Sequence, residues 1–88
     1  RVYGESMVGD GIMPGDCLCV QKKRVVADGE IAVVMVDGES TVKRFYREGD
    51  QIRLQPANDT MEPIYVAAHE FREVNIIGRV VGVYRRVH

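Results

Sequence analysis

The sequence predicts a mostly β domain of short antiparallel strands that closes on itself or twists strongly. Three observations carry this prediction. Short apolar or alternating runs recur along the chain, and turn pairs containing glycine or proline separate them. No segment is long enough to hold a stable helix, the best candidate being Ala67 to Glu70. An all-β domain of this size protects its edges by closing or twisting.

The elements follow in order. Val2-Tyr3 reads as the end of a strand, so earlier strands are expected ahead of Arg1. Pro14-Gly15 suits the central positions of a type II turn and leads into a strand at Cys17-Leu18-Cys19-Val20-Gln21. Asp28-Gly29 turns the chain again. Ile31 to Val36 is apolar throughout, which predicts a strand covered on both faces. Asp37-Gly38 then joins it in a hairpin to Ser40 to Tyr46. After Gly49-Asp50, Gln51 to Gln55 alternates as a half-buried strand should. Pro56, Asn58, Asp59 and Pro63 mark a loop, Ile64 to Val66 a short strand. Val74 to Tyr84 forms a long Val/Ile-rich strand, with bends or bulges expected at Gly78 and Gly82.

Size and charge narrow the function. The 88 residues allow one domain, 1–88, and the formal net charge of −1 offers no basic stripe for gripping DNA. No apolar run approaches the roughly 20 residues that span a bilayer, so no membrane partner is expected. Cys17 and Cys19 lack the spacing of a zinc or redox site and read as reduced core or half-core strand residues of a cytoplasmic protein. No metal and no cofactor are expected. Asp10, Asp16, Asp28 and Asp37 each sit beside a glycine, which is turn chemistry.

The candidates for chemistry are few. Strand alternation puts Thr41, Lys43 and Phe45 on one face and Val42, Arg44 and Tyr46 on the other. If the Phe45 face points inward, the Lys43 ammonium is desolvated, its pKa falls, and it can act as a general base. Lysine is seldom buried, so the pattern taken alone favours a water-facing Lys43. Ser6 follows Gly4, which permits a sharp turn, but a serine there is more often a turn residue than a nucleophile. His69 lies in a surface-like turn and His88 ends the chain, so a Ser-His-Asp triad is poorly supported and a Ser-Lys pair is the variant left.

Gly4-Glu5-Ser6-Met7, Gly11-Ile12-Met13-Pro14-Gly15-Asp16, Gly29-Glu30-Ile31-Ala32-Val33-Val34 and Thr41-Val42-Lys43-Arg44-Phe45 resemble, in order, the carboxy-terminal domain of the LexA repressor family. Leu54-Gln55-Pro56-Ala57-Asn58 and Gly78 to Val83 fit as well, so the resemblance covers essentially the whole chain. It implies a mostly β, compact and strongly twisted LexA-type peptidase fold and a self-cleaving repressor of the DNA-damage (SOS) response. Ser6 would be the nucleophile, Lys43 the general base, and the backbone N–H groups of Glu5 and Ser6 the oxyanion hole. The cut would fall at an upstream Ala-Gly bond, stimulated by a RecA filament on single-stranded DNA. A homodimer would form through Val80, Val81, Gly82, Val83, Tyr84 and Arg85. Operator DNA would be held only by an N-terminal domain outside this chain.

Two departures stand out. Glu5 replaces the family's usual Asp, and the chain contains no Ala-Gly pair, so the cleavage site is expected outside it. Other readings share the motif: a UmuD-type polymerase accessory protein, a phage repressor, a membrane-bound signal peptidase, or a module that only dimerises. A signal peptidase predicts an adjacent membrane segment and an exposed apolar surface.

Overall fold

The computed structural model describes residues 1–67, 69–70 and 73–86. Among them six strands form one antiparallel sheet: β1 (Cys17–Lys22), β2 (Ile31–Val36), β3 (Glu39–Glu48), β4 (Gln51–Gln55), β5 (Ile64–Ala67) and β6 (Val74–Tyr84). Their spatial order is β1-β6-β2-β3-β4-β5, so the last strand inserts between the first two. The radius of gyration is 12.8 Å, close to the roughly 12 Å of a compact domain of this length.

The turns behave as the glycine pairs predict. Asp37 (φ 50°) and Gly38 (φ 85°) are both left-handed, the requirement of a two-residue hairpin whose twist matches its strands. The Pro14-Gly15 turn closes with Asp16 N–H donating to the Met13 carbonyl at 3.1 Å. Within the helix candidate Ala67 to Glu70, Ala67 ends β5, residues 69 and 70 are a turn and a bend, and Ala68 lies outside the described residues.

The core lies on one face of the sheet. Ala32, Val34, Val36, Phe45 and Leu54 are buried with Val26, and Ile52, Ile64, Val74 and Ile76 pack against them. β2 therefore departs from its expected two-sided burial. Its Ala32-Val34-Val36 face is buried, whereas Ile31, Val33 and Met35 are only half covered. Its continuous apolar run reflects a central position in the sheet rather than a second layer.

β6 carries two bulges, each beside a glycine. In the β1 ladder Cys19 and Val20 pair with Gly82 and Val80, leaving Val81 over. In the β2 ladder Val33 and Val34 pair with Gly78 and Ile76, leaving Ile77 over. Gly78 is needed for a further reason: a Cβ there would lie 2.5 Å from the Gln21 carbonyl oxygen.

Two expectations are corrected. Cys17 and Cys19 are exposed, because β1 is an edge strand and lies beyond the buried cluster of β2, β3 and β4. Val2-Tyr3 is not in a strand. Val2 instead bonds to the turn at 15–16, donating to Asp16 O and accepting from Gly15 N–H, each at 2.8 Å.

Candidate functional site

Ser6 sits in an irregular loop that no ladder holds, so its position depends on other ties. Gly4 takes a left-handed φ of 79°, and a short 3₁₀ turn follows at Val8–Asp10. Met7 and Ile12, each 2% exposed, anchor the loop from below, and Ile12 N–H donates to the Met7 carbonyl at 3.2 Å. Asp10 is gripped by Arg44, whose Nε and Nη2 donate to its two carboxylate oxygens at 2.9 and 3.2 Å.

Lys43 comes to the loop from β3. Its cross-strand partner is Ala32, which is fully buried, and its neighbour on the same face is Phe45. The alternation thus turns Lys43 inward, leaving it 7% exposed. Its Nζ donates to Ser6 Oγ at 3.0 Å and to Thr41 Oγ1 at 2.5 Å. No carboxylate balances the ammonium in these contacts, and desolvation pushes its pKa below the ordinary lysine value. A buried amine within hydrogen-bond reach of a hydroxyl can take the hydroxyl proton once it is neutral. Thr41, two residues back on the same face, fixes the amine's rotation.

A second buried charge lies behind the loop. Asp16 is 2% exposed and accepts from Arg85 through Nε at 2.8 Å and Nη2 at 2.6 Å, and from Met13 N–H at 2.8 Å. The Arg85 hydrogen bonds, with help from Met13, hold its carboxyl at about 2. Arg85 Nη2 also donates to the Gly11 carbonyl at 2.9 Å. Arg85, expected at a dimer surface, is therefore engaged within its own chain.

Glu5 stands next to Ser6, and its carbonyl accepts from Asn58 Nδ2 at 2.9 Å. Val81, Val83 and Tyr84 are exposed, while Val80 and Gly82 are half-buried. β2 pairs with β6 only as far as Arg79, so from Val80 to Tyr84 the described ladders occupy a single edge, the one facing β1. His69 is exposed in the turn after β5, and His88 lies outside the described residues. Among the described residues no helix is long and apolar enough to cross a membrane.

Sequence reasoning did not foresee the roles of Thr41, Arg44, Arg85 and Asn58. Only Thr41 left a local signal, its place two residues from Lys43 on one strand face. The others reach partners 34 to 69 residues away.

Comparison with known proteins places this geometry in context. A family profile described as Peptidase S24-like matches residues 1–81. The chain is 56% identical over 87 residues to a LexA repressor of Anaeromyxobacter dehalogenans (strain 2CP-1 / ATCC BAA-258), covering 99% of this chain and 38% of that protein. It is 56% identical to a LexA repressor of Myxococcus xanthus (strain DK1622), covering 99% and 39%, and 52% identical to one of Desulfitobacterium hafniense (strain DSM 10664 / DCB-2), covering 100% and 41%. The chain thus spans about two fifths of the length of these relatives.

Proposed function

The chain belongs to the Peptidase S24-like family, and on that premise we propose that it is the protease and dimerisation domain of a self-cleaving repressor of the DNA-damage response. The observation that carries this reading is the 3.0 Å contact between the Lys43 amine and the Ser6 hydroxyl, made by a lysine that is 7% exposed. The LexA repressors to which the chain is similar support the repressor role.

The chemistry follows from the groups present. Neutral Lys43 accepts the Ser6 proton as Ser6 Oγ attacks the scissile carbonyl, forming a C–O bond and pushing the carbonyl electrons onto oxygen. Backbone N–H groups of Glu5 and Ser6 stabilise that oxyanion. As the intermediate collapses the C–N bond breaks, and Lys43 hands its proton to the departing amine. Water, deprotonated by the same lysine, then hydrolyses the acyl-serine. Thr41 keeps the amine aimed throughout. A groove lined by Val2, Tyr3, Leu18, Val33, Thr41 and Val42 suits an extended substrate segment. That segment is an upstream Ala-Gly stretch of the same polypeptide, and a RecA filament on single-stranded DNA stimulates the cut. The protein works in the cytoplasm, and its operator contacts belong to a separate N-terminal domain. The open edge at Val80–Tyr84, with exposed Val81, Val83 and Tyr84, suits pairing with a second copy.

The test is self-cleavage of the intact polypeptide across pH. Cleavage should rise as Lys43 loses its proton, and Ser6→Ala or Lys43→Ala should abolish it while dimers persist. A Lys43→Ala protein that cuts itself at the normal rate in alkali would show that the pair is misassigned.

A further inference from the structure

We propose that Asn58 is a positioning residue that fixes the Glu5–Ser6 peptide plane and so aims the Ser6 N–H at the developing oxyanion. The proposal rests on the protease reading above.

The Ser6 loop lacks a strand ladder, so the directions of its peptide N–H groups are not set by a sheet. Asn58 supplies the missing constraint from 53 residues away, donating from Nδ2 to the Glu5 carbonyl at 2.9 Å. That carbonyl and the Ser6 N–H belong to one peptide unit. Peptide units are planar, and no cis bond occurs among the described residues, so the two groups point in opposite directions. Holding the oxygen therefore holds the N–H. Among the described residues no acceptor takes up the Ser6 N–H, which leaves it available to a ligand. Donation to the carbonyl also polarises the peptide and strengthens its N–H as a donor.

Asn58 is itself held in one orientation. Its Oδ1 accepts from Thr60 N–H at 3.0 Å and Thr60 Oγ1 at 2.7 Å, which turns Nδ2 toward Glu5. Its carbonyl accepts from Met61 N–H at 3.0 Å. The adjacent residue clamps the other side of Ser6, with Gly9 N–H donating to the Ala57 carbonyl at 2.6 Å. Only glycine allows that approach, since a Cβ at position 9 would lie 2.6 Å from the same oxygen. Residues 57 and 58 thus pin the loop on both flanks of the nucleophile.

The test is phosphonylation of this chain by a fluorophosphonate. Ser6 Oγ bonds to phosphorus, fluoride leaves, the serine proton passes through Lys43 to solvent, and the phosphoryl oxygen occupies the oxyanion position. The rate is followed across pH for wild type, Asn58→Ala and the isosteric Asn58→Asp, with Ser6→Ala as blank. Losing an oxyanion donor outright costs about 10²–10³ in rate, so misaiming one should lower the alkaline plateau about ten- to thirtyfold. In Asn58→Ala the midpoint of the pH profile, which belongs to Lys43, should stay in place. A plateau within twofold of wild type overturns the proposal, as does an Asn58→Ala midpoint that shifts together with the plateau. Should Asn58→Ala fail to fold, the Asn58→Asp plateau decides alone, because that variant can keep the Thr60 bonds while a carboxylate oxygen, which cannot donate, replaces Nδ2 opposite the Glu5 carbonyl. A wild-type chain that labels no faster than Ser6→Ala overturns the protease reading and the proposal with it. Normal wild-type labelling with unchanged variants overturns the proposal alone.

Discussion

Replacing Lys43 by methionine should make the domain inactive and more stable at once. Methionine keeps most of the hydrocarbon stem, so packing against Ala32 and Phe45 survives. Two hydrogen bonds vanish, to Ser6 and Thr41, each worth about 0.5–1.5 kcal/mol net. Against this, the ammonium no longer has to leave water for a site only 7% exposed, a cost of several kcal/mol for a buried ion. The balance is a gain of about 1–2 kcal/mol, or about 5–15 °C in Tm for a domain this small. The pH dependence makes the test sharper. Burial lowers the folded-state pKa of Lys43 below the ordinary 10.5, so between those values the unfolded chain binds more protons and wild-type stability rises with pH. The advantage of Lys43→Met should be largest below the folded-state pKa and shrink toward pH 10.5. Thermal melts of both proteins across pH measure it. A variant that melts lower than wild type at every pH, or a difference that ignores pH, would show that burying the Lys43 charge does not cost the domain stability.

Three further outcomes are expected. Asp16→Asn should destabilise the domain at neutral pH by stripping Arg85 of its charged partner. Because the Asp16 pKa is depressed from 3.8 to about 2, the wild-type advantage should be complete above the higher value and vanish as pH falls through the lower, as melts between pH 7 and pH 2 would reveal. Gly78→Ala forces a methyl to within 2.5 Å of the Gln21 carbonyl and should cost about 2–3 kcal/mol in urea unfolding, with loss of the β1–β6 pairing. Leu54→Ala empties a fully buried site and should cost about 2–5 kcal/mol by the same assay, without moving the pH midpoint of Ser6 reactivity.

Much of the fold was legible because its signals are local. Asp37-Gly38 and Gly49-Asp50 specify their hairpins through backbone conformations that few residue pairs adopt, and the strands between them follow. The insertion of β6 between β1 and β2 was not legible, since nothing in Val74–Tyr84 names its neighbours. For the same reason Cys17 and Cys19 read as core or half-core residues: a short apolar run looks alike at an edge and at a centre. At the site, alternation grouped Lys43 with Phe45 but could not say which face was buried. The completely buried Ala32 opposite Lys43 settles that. Arg44–Asp10, Arg85–Asp16 and Asn58–Glu5 each join distant segments through side chains that are common on any surface, so no pattern announces them.

We propose that one buried amine, that of Lys43, governs the reactivity of Ser6. NMR titration of the Lys43 side chain, run beside the rate of Ser6 phosphonylation on the same samples, tests it most directly. A single shared midpoint is expected, below the ordinary lysine value of 10.5, with loss of the rate profile in Lys43→Ala. A Lys43 that titrates at its ordinary value while the rate rises around some other midpoint would contradict it.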